Sequence, residues 1–160
     1  MNVSENNMAK EKIESRSYPI GGLRLCIDRE GETLAGRMYS KTIERPIKFE
    51  SSSNMLLEAD DLFDQQGYPQ RFMEPRSFQK DTAAPSRFHY PEPVISDQEI
   101  LEQEGKCRTL DVFVQSRRKA GWQGAVFEPE GGFISEFKSE LELLMILEQE
   151  IKKKKPGKEG

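Results

Sequence analysis

Residues 23 to 63 lie over residues 110 to 151 with the same apolar spacing, and a chain that carries one pattern twice has few ways to fold. Leu23, Arg24, Leu25, Cys26 and Ile27 align with Leu110, Asp111, Val112, Phe113 and Val114 at an offset of 87 residues. The second copy then has a turn one residue longer. Beyond it the offset is 88, which places Gly36 on Gly124, Met38 on Val126, Tyr39 on Phe127 and Phe49 on Phe137. Ser51 falls on Ser139, Met55 on Leu143, Leu57 on Met145 and Phe63 on Ile151, so the register points to an internal duplication.

Each copy reads as three strands and a helix. Leu23, Leu25 and Ile27 alternate with Arg24 and Cys26, the period of a strand with one buried face. Asp28 to Glu32 supply a polar, glycine-bearing turn, Thr33 to Ser40 return, and Ile47 to Phe49 form a short third strand. Met55, Leu56, Ala59, Leu62 and Phe63 then recur at helical spacing, with serines 51 to 53 as N-caps and Gly67 as the stop. The second copy runs Thr109 to Gln115, a turn over Ser116 to Gly121, Trp122 to Glu128, Phe133 to Phe137, and a helix opened by a capping box at Ser139 and Glu142. The expected fold is α+β: two β-β-β-α repeat units, residues 18–78 and 107–152, as antiparallel sheets each with one helix packed on a face. A disordered tail over 1–17, a linker over 79–106 and a basic tail over 153–160 complete the division.

The stretch from Gly67 to Pro93 holds five prolines, which excludes a long helix, while its aromatics exceed what a flexible spacer needs. A short helix is expected over 96–103, capped by Ser96, with Ile100 and Leu101 inward. If each unit lays its helix on one sheet face, Cys26, Tyr39, Phe113 and Phe127 fall on the other, which needs a cover. That cover is the second unit, packed face to face, or another protein on a longer joined sheet.

Composition narrows the function classes. The chain has 24 Lys and Arg against 28 Asp and Glu, a net charge of −4, so bulk charge does not describe a nucleic-acid domain. No apolar run approaches a membrane span or a signal peptide, and the expected location is the cytoplasm. Two cysteines, Cys26 and Cys107, and one histidine, His89, assemble neither a disulfide framework nor a metal site. No phosphate-binding glycine loop or nucleophile-base arrangement is present, so no enzyme, cofactor or metal is expected.

Val114 to Arg117, Gly121-Trp122-Gln123-Gly124, and Phe137-Lys138-Ser139-Glu140-Leu141-Glu142-Leu143 resemble a family of small uncharacterised bacterial proteins. Gly36-Arg37-Met38-Tyr39, Ala59 to Asp64, and Gly67-Tyr68-Pro69-Gln70-Arg71-Phe72 resemble a second such family. The chain looks like a fusion of the two. The resemblance implies no activity, cofactor or catalytic residue.

Two features carry candidate binding chemistry. The Arg117-Arg118-Lys119 turn beside Trp122 places cations next to an indole, an arrangement that holds phosphate or stacks on a base. Arg71, Phe72, Arg76 and Phe78 interleave bases with aromatics, as single-stranded nucleic-acid surfaces do. The bland alternatives are a solvated turn whose tryptophan opens an apolar strand, and aromatics packed on the first sheet. Asp60, Asp61 and Asp64 read as a solvated helix face. The function expected is a non-enzymatic interaction or accessory protein that binds another protein, or a second copy of itself, through a sheet face or edge. Binding of single-stranded RNA or DNA is the alternative, and no membrane partner is expected.

Overall fold

The computed structural model describes residues 17–69, 71–72, 91–118 and 121–154. Strands β1 (Gly22–Arg29), β2 (Ala35–Tyr39) and β3 (Ile47–Phe49) lead into helix α1 (Ser52–Gln66). The Ser51 side chain accepts the Asn54 amide at 3.0 Å to open α1, and Gly67, at a φ of 72°, closes it in the left-handed conformation. A two-residue strand β4 (Arg71–Phe72) and a five-residue helix α2 (Asp97–Leu101) come next. Ser96 and Glu99 cap α2 reciprocally, and Ile100 and Leu101 are buried, as the sequence pattern expects. Strands β5 (Arg108–Arg118), β6 (Gln123–Phe127) and β7 (Phe133–Phe137) and helix α3 (Glu140–Lys154) complete the chain.

The molecule is mixed α and β, but the two three-stranded groups do not make separate sheets. β1 pairs antiparallel with β5, giving one six-stranded antiparallel sheet in the order β3-β2-β1-β5-β6-β7, while β4 pairs in parallel with the far end of β5. The physical reason is that β1 and β5 are each the inner edge of their group, and an unpaired edge presents a row of amides and carbonyls that seeks a partner. Arg24 and Asp111 stand opposite each other at the join.

Helices α1 and α3 cover the same face. Leu23, Leu25 and Ile27 of β1 and Leu110, Val112 and Val114 of β5 form the centre of the core, with Met38, Phe49, Val126 and Phe137 to either side. Met55, Ala59 and Phe63 of α1 and Leu143, Leu147 and Ile151 of α3 close over them. Each such large side chain contributes roughly 1.5–3 kcal/mol by leaving water.

The other face has its own smaller cluster, in which Tyr18, Ile100 and Leu101 pack with Tyr39, Ile95 and Phe113. Here Arg24 and Asp111 are buried, at 1% and 0% exposure. The guanidinium donates to both carboxylate oxygens, at 2.9 and 2.8 Å, and to the carbonyls of Leu101 at 2.9 Å and Pro129 at 3.2 Å. The Tyr18 hydroxyl donates to the same carboxylate at 2.6 Å. Burial works against the charge on Arg24, and the bonded Asp111 carboxylate outweighs it, so its pKa stands above the ordinary value. Among the described residues no buried side-chain nitrogen or oxygen lacks a partner.

Removing one member of this pair leaves an uncompensated charge in the interior. Arg24→Ala is expected to cost about 3–5 kcal/mol in urea unfolding. A double replacement by apolar residues, Arg24→Met with Asp111→Leu, should recover most of that loss.

Candidate functional site

The strongest sequence candidate for a ligand site turns inward. Counting by twos from Leu110, Val112 and Val114 puts Arg117 on the face away from the helices, but a bulge at Gln115 reverses the alternation. Arg117 therefore reaches the helix face and is 1% exposed. Its Nε donates to the Pro69 carbonyl at 2.7 Å, and one terminal nitrogen donates to Asp60 at 3.0 Å and Asp64 at 2.9 Å. The guanidinium carbon lies 5.5 Å from the centre of the Phe63 ring. Trp122 is 2% exposed, packs edge-on against Phe63 and donates its indole N–H to Asp60 at 3.1 Å.

This corrects two readings. Asp60 and Asp64 are not a merely solvated face, because a buried cation from β5 holds them. Arg117 and Trp122 are engaged by the protein's own groups, so they form a clamp between α1 and the β5–β6 hairpin. Arg118 ends β5 as an exposed residue, and its amide donates to the Gln123 side chain at 2.9 Å. The backbones of Arg71 and Phe72 form β4, against Arg117 and Arg118. Lys119, Arg76, Phe78 and His89 lie outside the described residues.

The structure assembles a different surface on the face away from α1 and α3. Over the first half, residues 91–105 form a cover. The Val94 amide donates to the Lys41 carbonyl at 2.7 Å, Lys41 pairs with Asp97, and Arg37 donates to the Glu104 carbonyl at 2.9 Å. Arg37 also bonds Asp28 at 2.9 Å and the Tyr39 hydroxyl at 2.7 Å, which fills that half with satisfied polar groups. The second half carries aromatics instead. Tyr18, Phe113, Phe127 and Phe133 form a row with successive ring centres 5.8, 4.8 and 5.7 Å apart. It begins under the buried Tyr18 and ends at Phe133, which is 61% exposed on the edge strand β7.

Sequence reasoning placed Phe113 and Phe127 on this face and missed Phe133. Alternation back from the buried Phe137 puts Phe133 among the core residues. A bulge at Ile134 brings it opposite Phe127 instead. The glycines at 131 and 132 mark the turn but carry no sign of the inserted residue.

No group of three or more histidine, cysteine, aspartate or glutamate side chains among the described residues is placed to hold a metal ion. No described helix is long and apolar enough to cross a membrane. Cys26 is buried beneath the first-half cover, and desolvation pushes its thiol up to about 12 in spite of Arg37 and Arg24 nearby. No protein-family model, curated protein or solved structure matches the chain. The resemblance to two small-protein families therefore rests on the quoted motifs alone.

Three carboxyls tie the periphery together and titrate low. The Arg37 hydrogen bonds hold Asp28 below the ordinary carboxylate value. Burial alone would raise Asp97 and Glu150, but Lys41 and the Tyr18 amide outweigh it at Asp97, and Lys153 and Arg108 do so at Glu150. Each contribution is fully present above the ordinary carboxylate range and is lost as pH falls through the lowered values. Urea midpoints are expected to hold steady above about pH 5 and to drop as pH falls below about 4.

The clamp has its own test. Asp60 serves both the indole and the guanidinium, whereas the half-exposed Asp64 serves the guanidinium. Asp60→Ala should cost about 2–3 kcal/mol and Asp64→Ala about 1 kcal/mol or less, read from the fluorescence of the single tryptophan during unfolding.

Proposed function

We propose that this protein is a small non-enzymatic interaction protein of the cytoplasm, built from a duplicated β-β-β-α unit, that binds another protein through the aromatic half of its second sheet face and the adjoining β7 edge. The observation that carries the reading is the Phe113–Phe127–Phe133 row. The first half of that face has a cover made from the chain itself, while the row in the second half runs out to an exposed phenylalanine on an edge strand. An aromatic anchor beside unpaired strand groups suits both modes of docking, side chains into a pocket and backbone onto an edge.

Matched irregularities support the duplication. The bulge in β1 falls between Ile27 and Arg29 and that in β5 between Val114 and Ser116, at aligned positions. A Cβ on Gly36 would stand 2.1 Å from the Cys26 carbonyl oxygen, and one on Gly124 would stand 2.0 Å from that of Phe113. Cys26 and Phe113 are themselves aligned, so each copy needs glycine for the same close approach. The nucleic-acid reading is the weaker one, since the buried Arg117 and Trp122 are held by carboxylates and a carbonyl.

The test is affinity capture by the tagged full chain from its native lysate, with and without nuclease and at two salt concentrations, beside the Phe133→Ser variant. A protein retained through nuclease and moderate salt, and reduced about tenfold or more by Phe133→Ser, is the expected result. Retained nucleic acid that washes off with salt would overturn the reading. A concentration-dependent dimer in sedimentation, abolished by Phe133→Ser, would identify the partner as a second copy.

A further inference from the structure

The outer strands of the sheet repeat, at its edges, the charge arrangement found at its centre. Among the described residues β3 and β7 end the sheet, each with one neighbouring strand. In the ladder of β2 with β3, Gly36 stands opposite Phe49, Arg37 opposite Lys48 and Met38 opposite Ile47. In the ladder of β6 with β7, Gly124 stands opposite Phe137, Ala125 opposite Glu136 and Val126 opposite Ser135. Lys48 and Glu136 therefore hold the same place in their two edge strands. Phe49 and Phe137 belong to the core under the helices, so alternation turns Lys48 and Glu136 to the opposite face, and both are exposed. Arg24 and Asp111 have the same relation at the central join: equivalent places, the same face, the cation in the first half and the anion in the second. There the two charges meet, whereas Lys48 and Glu136 stand at opposite ends of the sheet.

The strand directions allow the two edges to meet as well. All five pairings along the order β3-β2-β1-β5-β6-β7 are antiparallel, so the first and last strands run in opposite directions. A second copy set beside the first in the same orientation brings its β3 antiparallel to β7, with α1 and α3 of both copies on one side. We infer that β7 of one copy takes β3 of the next, with Lys48 opposite Glu136, so that the sheet continues from chain to chain. The inference rests on the reading of β7 as a docking edge, names what that edge takes, and makes no use of the aromatic row. The charges select this pairing over its competitors. In the corresponding register β3 on β3 sets lysine against lysine, and β7 on β7 sets glutamate against glutamate. They also fix the register, since a slip of two residues that brings Lys48 to Lys138 also brings Glu50 to Glu136, like against like at both places. The contact joins two different edges, so each end of an assembly keeps an edge that can take another copy until a ring closes.

Sedimentation of the purified full chain over a concentration series at low salt tests it, beside Lys48→Glu, Glu136→Lys and an equimolar mixture of these two variants. Both substitutions are at exposed positions, and each variant should keep its tryptophan fluorescence and unfolding midpoint. The wild-type chain should associate as concentration rises, and less so at high salt. Each single variant carries one sign on both edges and should associate about tenfold or more weakly. The mixture again offers a cation to an anion and should recover the wild-type association. Phe133→Ser should still associate, because Phe133 lies beyond the three positions of β7 that match β3. A chain that stays monomeric, association indifferent to both charge reversals, or folded variants whose mixture fails to recover would overturn the inference. Association lost in Phe133→Ser alone would also overturn it while supporting the aromatic row. A monomeric chain that captures a different protein from lysate would overturn it and leave the reading above standing.

Discussion

A guanidinium and a carboxylate buried face to face at the centre of the sheet set the terms for the rest of this molecule. Taking two such charges out of water costs several kcal/mol apiece, and their attraction offsets that only when every remaining donor and acceptor is met. Arg24 and Asp111 therefore require Tyr18, the Leu101 and Gln103 carbonyls and the Pro129 carbonyl to be in place together. The second-face cover is in this sense a demand of the join. The pair also decides which strands can meet. Arg24 and Asp111 are aligned positions, so two copies of the first half joined in this register would set arginine against arginine, and two copies of the second would set aspartate against aspartate. Unlike charges within one chain select the intramolecular join over both alternatives.

The elements were legible because their signals are local. Alternation in Leu23 to Ile27, the serine caps and Gly67 define strands and helices without reference to the rest of the chain. The joining of two sheets into one was legible only as one of two alternatives, since nothing within three strands states what their inner edge will meet. The clue lay in two charged residues at aligned places in otherwise apolar strands. The bulges at Gln115 and Ile134 explain the misplaced residues: an inserted residue reverses which side every later side chain takes, and period-two counting cannot detect it. Arg117, a candidate ligand site by sequence, is thus part of a clamp, and Phe133 was missed as a member of the second face. Asp60 and Asp64 were misread for the same reason, because their partner comes from the far side of such a bulge.

The halves share a plan and differ in how they finish it. One has an arginine network and a polypeptide cover on its second face, the other an aromatic row. On the helix face the order is reversed, with tryptophan and arginine filling one contact and a cleft left at the other. The two ends of each face are therefore finished by different chemistry.

The reach of α1 to the opposite hairpin also bears on what holds the protein together. The β1–β5 ladder, the ion pair of Arg24 with Asp111, and the hold of α1 on Arg117 all run between residues before 73 and residues after 90. The stretches on either side carry complementary edges, opposite central charges and the two sides of one clamp. Each side is thus the other's missing neighbour, and the middle of the sheet exists only where the two are in register.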